Sequence, residues 1–187
     1  MSQSTRTSAI VAATLAITGL AHASIYNEAV DGDLADIASG GTFFDLSVGV
    51  NTVTGELTEN PAGGIEEDFV VFEIGAGEQL TSVVLTSVVF SGGNFSTGFR
   101  LYADLGSGLE QIAPGSFDES NAGDDYLTIW DLSDVGGSAP LGPGTYGIAL
   151  AEFTPGQQYS FDLTVVPAPG SAALLAAAGF AAARRRR

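Results

Sequence analysis

Tyr159-Ser160-Phe161-Asp162-Leu163-Thr164-Val165 is the stretch that decides the fold class. Tyr159, Phe161, Leu163 and Val165 share one face of an extended chain, and Ser160, Asp162 and Thr164 share the other. That alternation predicts a strand with one face buried and one wet, the pattern of an antiparallel sheet. In the run before it Tyr146, Ile148 and Leu150 alternate in the same way, and Thr154-Pro155-Gly156-Gln157 reads as a turn joining the two runs in a hairpin.

Further out, the same punctuation of short alternating runs and Gly, Pro, Asn and Asp breaks predicts strands at 43–48, 51–57, 68–74, 79–90, 97–104 and 126–132. Gln79 to Phe90 is apolar on both faces, as expected of a central strand in a two-sheet stack. Its Val and Thr content favours strand over a buried helix. Residues 105–125, with Gly106, Gly108, Pro114, Gly115 and Gly123, read as a long loop or irregular excursion. With about eight strands and no long helical pattern between the termini, the expected architecture is all-β: a two-sheet antiparallel sandwich, jelly-roll-like. An immunoglobulin-like sandwich is the second choice; the chain lacks that fold's Cys-Trp-Cys framework.

Both ends of the chain differ from this body. Arg6, an apolar run from Ala9 to Leu20 and Ala21-His22-Ala23 match a secretory signal peptide with an A-x-A cleavage site at Ala21 and Ala23. The mature chain is then expected to begin near Ser24. At the other end stand Val166, Pro167, Ala168, Pro169 and Gly170, a short Ala/Leu-rich stretch, and Arg184, Arg185, Arg186 and Arg187. Such a basic cluster resists translocation and stays cytoplasmic. The 13 residues from Ser171 to Ala183 make a helix of only about 20 Å against a hydrocarbon core of about 30 Å. Pro167 and Pro169 argue against extending that helix backwards, and Ser171 suits an N-cap. The expected domains are a signal peptide (1–23), a sandwich (24–165) and a tail (166–187).

All 22 acidic residues lie in the body, where only Arg100 opposes them, a formal charge of −21. Such a surface excludes nucleic acid as a partner and disfavours anionic lipid. There is no cysteine and no lysine, and the single histidine, His22, leaves with the signal peptide. Histidine-based triads, thiol nucleophiles, amine nucleophiles and histidine-bound zinc are therefore excluded from the mature chain. Carboxylate pairs remain, but no motif selects two of them, so the expectation is no enzyme and no catalytic residue.

Oxygen ligands concentrate in Asn27, Glu28, Asp31, Asp33 and Asp36 around Gly32, which predicts part of a calcium site, with Glu66, Glu67 and Asp68 as contributors from a second segment. Position 42, where an EF-hand started at Asp31 needs glutamate, is Thr42. A solvated acidic loop with an Asx-turn at Asp31-Gly32 is the plainer reading. Asp118, Glu119, Asp124 and Asp125 form a second acidic group. Among aromatics, Trp130, Tyr126 and Tyr102 either stack on sugar rings from an exposed face or, with Tyr126 and Trp130 on one face of a strand, fill the core.

The tail, Val166-Pro-Ala-Pro-Gly followed by the apolar stretch and four arginines, resembles a PEP-CTERM sorting signal, with Ala168 where that pattern carries glutamate. Tyr26 to Leu34, Asp68-Phe69 and Leu141 to Tyr146 look like segments of β-sandwich domains related to bacterial pre-peptidase C-terminal domains. The resemblance implies signal peptidase and a membrane exosortase as partners during export, and a link to exopolysaccharide. It also implies transient anchoring in the inner membrane before the protein reaches the cell surface or extracellular matrix. The expected function is thus that of an exported, non-enzymatic structural or adhesive protein. The alternative is an extracellular carbohydrate-binding module with calcium-stabilised loops. Oligomeric state has no signal in the sequence.

Overall fold

The computed structural model describes residues 24–58, 66–90, 96–152 and 156–170. Residues 1–23, with the expected cleavage site at Ala21 and Ala23, residues 153–155 of the expected hairpin turn and residues 171–187 lie outside the described residues.

Strand formation follows the alternation. The last strand, β10 (Gln157–Pro167), buries Gln157, Tyr159, Phe161, Leu163 and Val165 on one face. It lies between β3 (Gly49–Leu57) and β5 (Glu78–Phe90), antiparallel to both, with Phe161 opposite Val53 and Leu163 opposite Asn51. Adding β1 (Ile25–Asn27) completes a four-stranded sheet in the order β1-β3-β10-β5. The facing sheet has six strands. Its order is β2 (Thr42–Phe43), β4 (Glu66–Ile74), β9 (Gly144–Glu152), β6 (Thr97–Asp104) and β7 (Leu109–Ala113), with β8 (Ser116–Phe117) also on β6.

The protein is therefore an all-β sandwich. Strands β3, β4, β5 and β6 alternate between the sheets, β7 stays with β6, and β9 and β10 alternate again, which is the path of a jelly roll. The eighth position, on the free edge of β5, is taken by residues 123–141. They make only isolated bridges there, Val84 to Asp125 and Leu80 to Leu141.

Several expectations are corrected. The sheets are mixed rather than purely antiparallel, because β1 and β2 pair in parallel with β3 and β4. The runs at 144–152 and 157–167 are no hairpin: β9 and β10 belong to different sheets, so the connection crosses the sandwich. β5 lies at an edge, and its two-faced apolarity comes from register shifts against β10, which let Leu80, Val83, Leu85 and Val88 all reach the core.

Residues 44–48 are not a strand. The buried Asn51 amide takes over their backbone instead, its Oδ1 accepting from Ser47 N at 2.9 Å and its Nδ2 donating to Ser47 O at 2.8 Å. Residues 105–125 are not one long loop, since β7 and β8 lie within them. Finally, residues 126–132 do not form a strand: Tyr126–Thr128 is a 3-10 turn, capped by the Asp125 carboxylate accepting from Leu127 N at 3.1 Å.

The core between the sheets centres on Phe99, whose ring lies 4.7 Å from Tyr126, 5.2 Å from Trp130, 5.5 Å from Phe117 and 5.6 Å from Phe161. A smaller apolar group of Phe69, Val71 and Ala149, with Ile37, Tyr102 and Leu109 against it, covers the outer face of the six-stranded sheet.

Candidate functional site

The alternation of β4 sends Phe69 and Val71 outward and Asp68, Val70 and Phe72 inward. A carboxylate is thereby carried into the space between the sheets, where Asp68 is 1% exposed. Tyr159 of β10 donates its hydroxyl to Asp68 Oδ2 at 2.6 Å. Gly55 of β3, opposite Tyr159, leaves room for the ring: a Cβ there would overlap the Tyr159 hydroxyl and come within 2.9 Å of Glu28 Oε2.

The N-terminal segment closes over this point. Asn27 caps a single helical turn, α1 (Glu28–Asp31), accepting from Ala29 N at 3.1 Å, and Asp31 Oδ2 accepts from Asn27 N at 2.8 Å. Gly32, at φ 104°, turns the chain so that Asp33 follows Glu28 onto one side. Glu28 Oε1 accepts from Leu34 N at 2.9 Å and Oε2 from Glu56 N at 2.6 Å, so this side chain ties the segment to β3.

One carboxylate oxygen each from Glu28, Asp33 and Asp68 lies within 4.8 Å of the others. Burial, and a hydrogen bond with Asp33, push the Glu28 carboxyl up to about 7. Three carboxyl groups this close, one of them out of water, call for a proton or a cation between them. The cluster offers the hard oxygen donors that calcium takes, with solvent on the Asp33 side to supply water ligands.

The structure thus brings together Asp33 and Asp68 from the two segments that the sequence singles out, with Glu28 beside them. The remaining candidate ligands go elsewhere. Asn27 and Asp31 serve the α1 turn, Asp36 caps the next turn by accepting from Ser39 N at 3.0 Å, and Glu67 leaves β4 on the face opposite Asp68. The Glu66 side chain lies outside the described residues.

The second acidic group does not converge. Asp118 accepts from Ser120 N at 2.7 Å, Glu119 from Phe90 N at 3.2 Å, Asp124 from Asn121 Nδ2 at 2.9 Å, and Asp125 from Val83 N at 3.0 Å. The bonds of Glu119 and Asp125 hold the irregular 118–128 segment against β5, and those of Asp118 and Asp124 shape the segment itself. The former supply acceptors that a regular eighth strand would otherwise provide.

The aromatic trio does not share an exposed face. Tyr126 is 1% and Trp130 5% exposed, packed in the core, while Tyr102 sits across the six-stranded sheet against Phe69 at 5.1 Å. Burial pushes the Tyr126 hydroxyl up to about 12, helped by Asp124 and Asp118, and the hydroxyl donates to Ser116 O at 2.8 Å.

At the tail junction β10 continues past Val165. Val166 pairs with Gln79 and Pro167 with Glu78, and Ala168 N donates to Gly77 O at 2.7 Å. Pro169 and Gly170 are already helical, so Pro169 does not prevent a helix here; the expected Ser171 cap lies outside the described residues. Proline suits the first helical position because its missing N–H has no partner there anyway. Among the described residues no helix is long and apolar enough to cross a membrane. Comparison with known protein families, and with curated proteins, finds no match to this chain.

Proposed function

We propose that this chain is an exported, non-enzymatic β-sandwich, sorted to the cell surface or extracellular matrix through its C-terminal tail, where it plays a structural or adhesive part. The observation that carries this reading is the order of features at the C-terminus: a proline-marked junction, a short apolar stretch, then Arg184 to Arg187. The tail resembles a PEP-CTERM signal, which would make a membrane exosortase its processing partner and matrix exopolysaccharide its neighbour. The junction supports that use, since Pro169 and Gly170 are exposed just beyond the last sheet contact. The test is fractionation of cells producing the full chain or a chain ending at Gly170. The full chain should appear at the surface or in the matrix, and the shortened chain should not be retained there. Identical distributions would refute the reading.

A second reading is favoured by the meeting of Glu28, Asp33 and Asp68. In it, calcium bridges these carboxylates and braces the N-terminal segment against β3 and β4. An ion held only by the folded state raises stability, by about 2.7 kcal/mol at a concentration 100 times its Kd. Chelated protein should therefore melt higher in millimolar calcium, and Asp68→Asn should abolish the rise. An unchanged melting temperature in the parent chain would refute calcium binding.

A further inference from the structure

One segment, residues 24–44, closes a whole side of the sandwich. Its two short strands pair with different sheets: β1 lies parallel to β3, with Ile25 opposite Thr52, and β2 lies parallel to β4, with Thr42 opposite Val70. On that side β3 and β4 are otherwise the outermost strands of their sheets. Three further backbone bonds join segment and body, from Thr52 N to Ser24 O at 2.9 Å, from Phe69 N to Ala35 O at 3.0 Å and from Phe44 N to Val71 O at 2.7 Å. Leu34 and Phe44 are buried in the core, with the Tyr26 ring edge-on to Phe44 at 6.4 Å. The pairing partners of the segment are thus β3 and β4, and its covalent joint to them is residues 45–48, which form no strand.

Strands of three and two residues carry few ladder bonds, so the segment opens as a unit at lower cost than the central strands. What it uncovers is expensive to leave bare: the backbone edges of β3 and β4, and the apolar slot of Leu34 and Phe44. The surface that fits both edges and the slot is the same segment of a second copy, which restores every one of these contacts. The outward side of the segment points the same way. Ile25, Val30 and Phe43, at 68%, 80% and 61%, are the most exposed large apolar side chains among the described residues. A single body leaves all three in water, and a second body alongside offers them cover.

We propose that residues 24–44 are an exchangeable strap, docked on its own body in the monomer and on β3 and β4 of a second copy in an assembly. The strap makes the same contacts in both states, so protein concentration sets the balance between them. Reciprocal exchange gives a closed dimer, and onward exchange gives an open row of bodies.

The chain has no cysteine, so single cysteines report exchange directly. Ile25→Cys and Thr52→Cys, at positions that face each other across β1 and β3, are purified separately, mixed at high protein concentration and oxidised. High salt is included because it screens the repulsion between two acidic bodies. The expected product is a disulfide-linked dimer holding one chain of each variant, in excess over the dimer that Ile25→Cys forms alone. Light scattering of the parent chain under the same conditions should shift from the mass of one chain to that of two or more. A chain carrying both substitutions should close the bridge within itself and, once oxidised, lose that shift. A mixed dimer no more abundant than the Ile25→Cys dimer reflects chance collision and overturns the proposal. A parent chain that keeps the mass of one chain also overturns it, as does association that survives the closed bridge. Failure of the doubly substituted chain to close its bridge overturns it too, since β1 would then not lie on β3. Each of these failures leaves the sorting reading untouched.

Discussion

Replacing Trp130 with alanine separates a core residue from a sugar-stacking one. The indole is 5% exposed and packs 5.2 Å from Phe99 and 5.5 Å from Tyr126. Its Nε1 donates to Phe99 O at 3.2 Å, on the edge of β6 between the contacts of β7 and β8. Pro114, in that gap, has no N–H to offer, so the indole supplies a donor the ladder lacks there.

Truncating a buried tryptophan costs about 3–5 kcal/mol, and leaving the Phe99 carbonyl without its donor adds about 1 kcal/mol. For a domain of this size the total corresponds to a melting temperature lower by roughly 10–20 °C. Trp130→Phe keeps most of the ring and loses the donor, so its expected cost is about 1–2 kcal/mol. Urea unfolding of the parent and both variants measures these differences, and a polysaccharide pull-down accompanies it. If Trp130→Ala stayed within about 0.5 kcal/mol of the parent while polysaccharide binding disappeared, the core assignment would be wrong.

Gly115→Ala places a Cβ 2.6 Å from both Phe99 O and Trp130 Nε1, so it should cost about 1–3 kcal/mol in the same unfolding assay and shift tryptophan fluorescence. Asn51→Ala removes the amide that holds the Ser47 backbone and also donates to Leu163 O at 3.2 Å; a loss of about 2–3 kcal/mol is expected by calorimetry. In calcium-free buffer the raised Glu28 carboxyl favours its protonated form in the folded state. Its contribution is therefore full below about pH 4.5 and is lost as pH rises through about 7. Because the group is partly in water, screening reduces that loss to the order of 1 kcal/mol, which Glu28→Gln should remove from the pH profile of stability. With calcium bound the trend should reverse, since protons then compete with the ion.

The sandwich was legible because β10, β3 and β6 each bury alternate residues, and period-two patterning survives any arrangement of the sheets. Sheet membership was not, because a Pro-Gly turn between two alternating runs looks the same whether it closes a hairpin or crosses a sandwich. The spacing from Tyr126 to Trp130 illustrates another degeneracy. Four residues return a side chain to one face in a strand and also in a helical turn, so the shared burial was readable while the strand was not. In this turn Trp130 N donates to Tyr126 O at 2.9 Å.

The carboxylate cluster was half legible. Acidic density pointed to both contributing segments, but the choice of Asp68 over Glu67 depends on which face of β4 turns inward, and Phe69 and Val71 on one face are as apolar as Val70 and Phe72 on the other. The role of Glu28 as a backbone acceptor for Leu34 and Glu56 carries no mark in the sequence, since it joins positions 28 residues apart across two elements. The strand end at Pro167 was hidden for a related reason. Proline argues against a central strand, yet beyond Val165 β10 has lost its β3 neighbour and pairs on one side only.

The intact mass of the protein recovered from the surface or matrix of producing cells tests the central claim most directly. The account predicts a chain that begins at Ser24 and lacks Arg184 to Arg187. A mass corresponding to a chain that retains Met1 or still ends in Arg187 would contradict it.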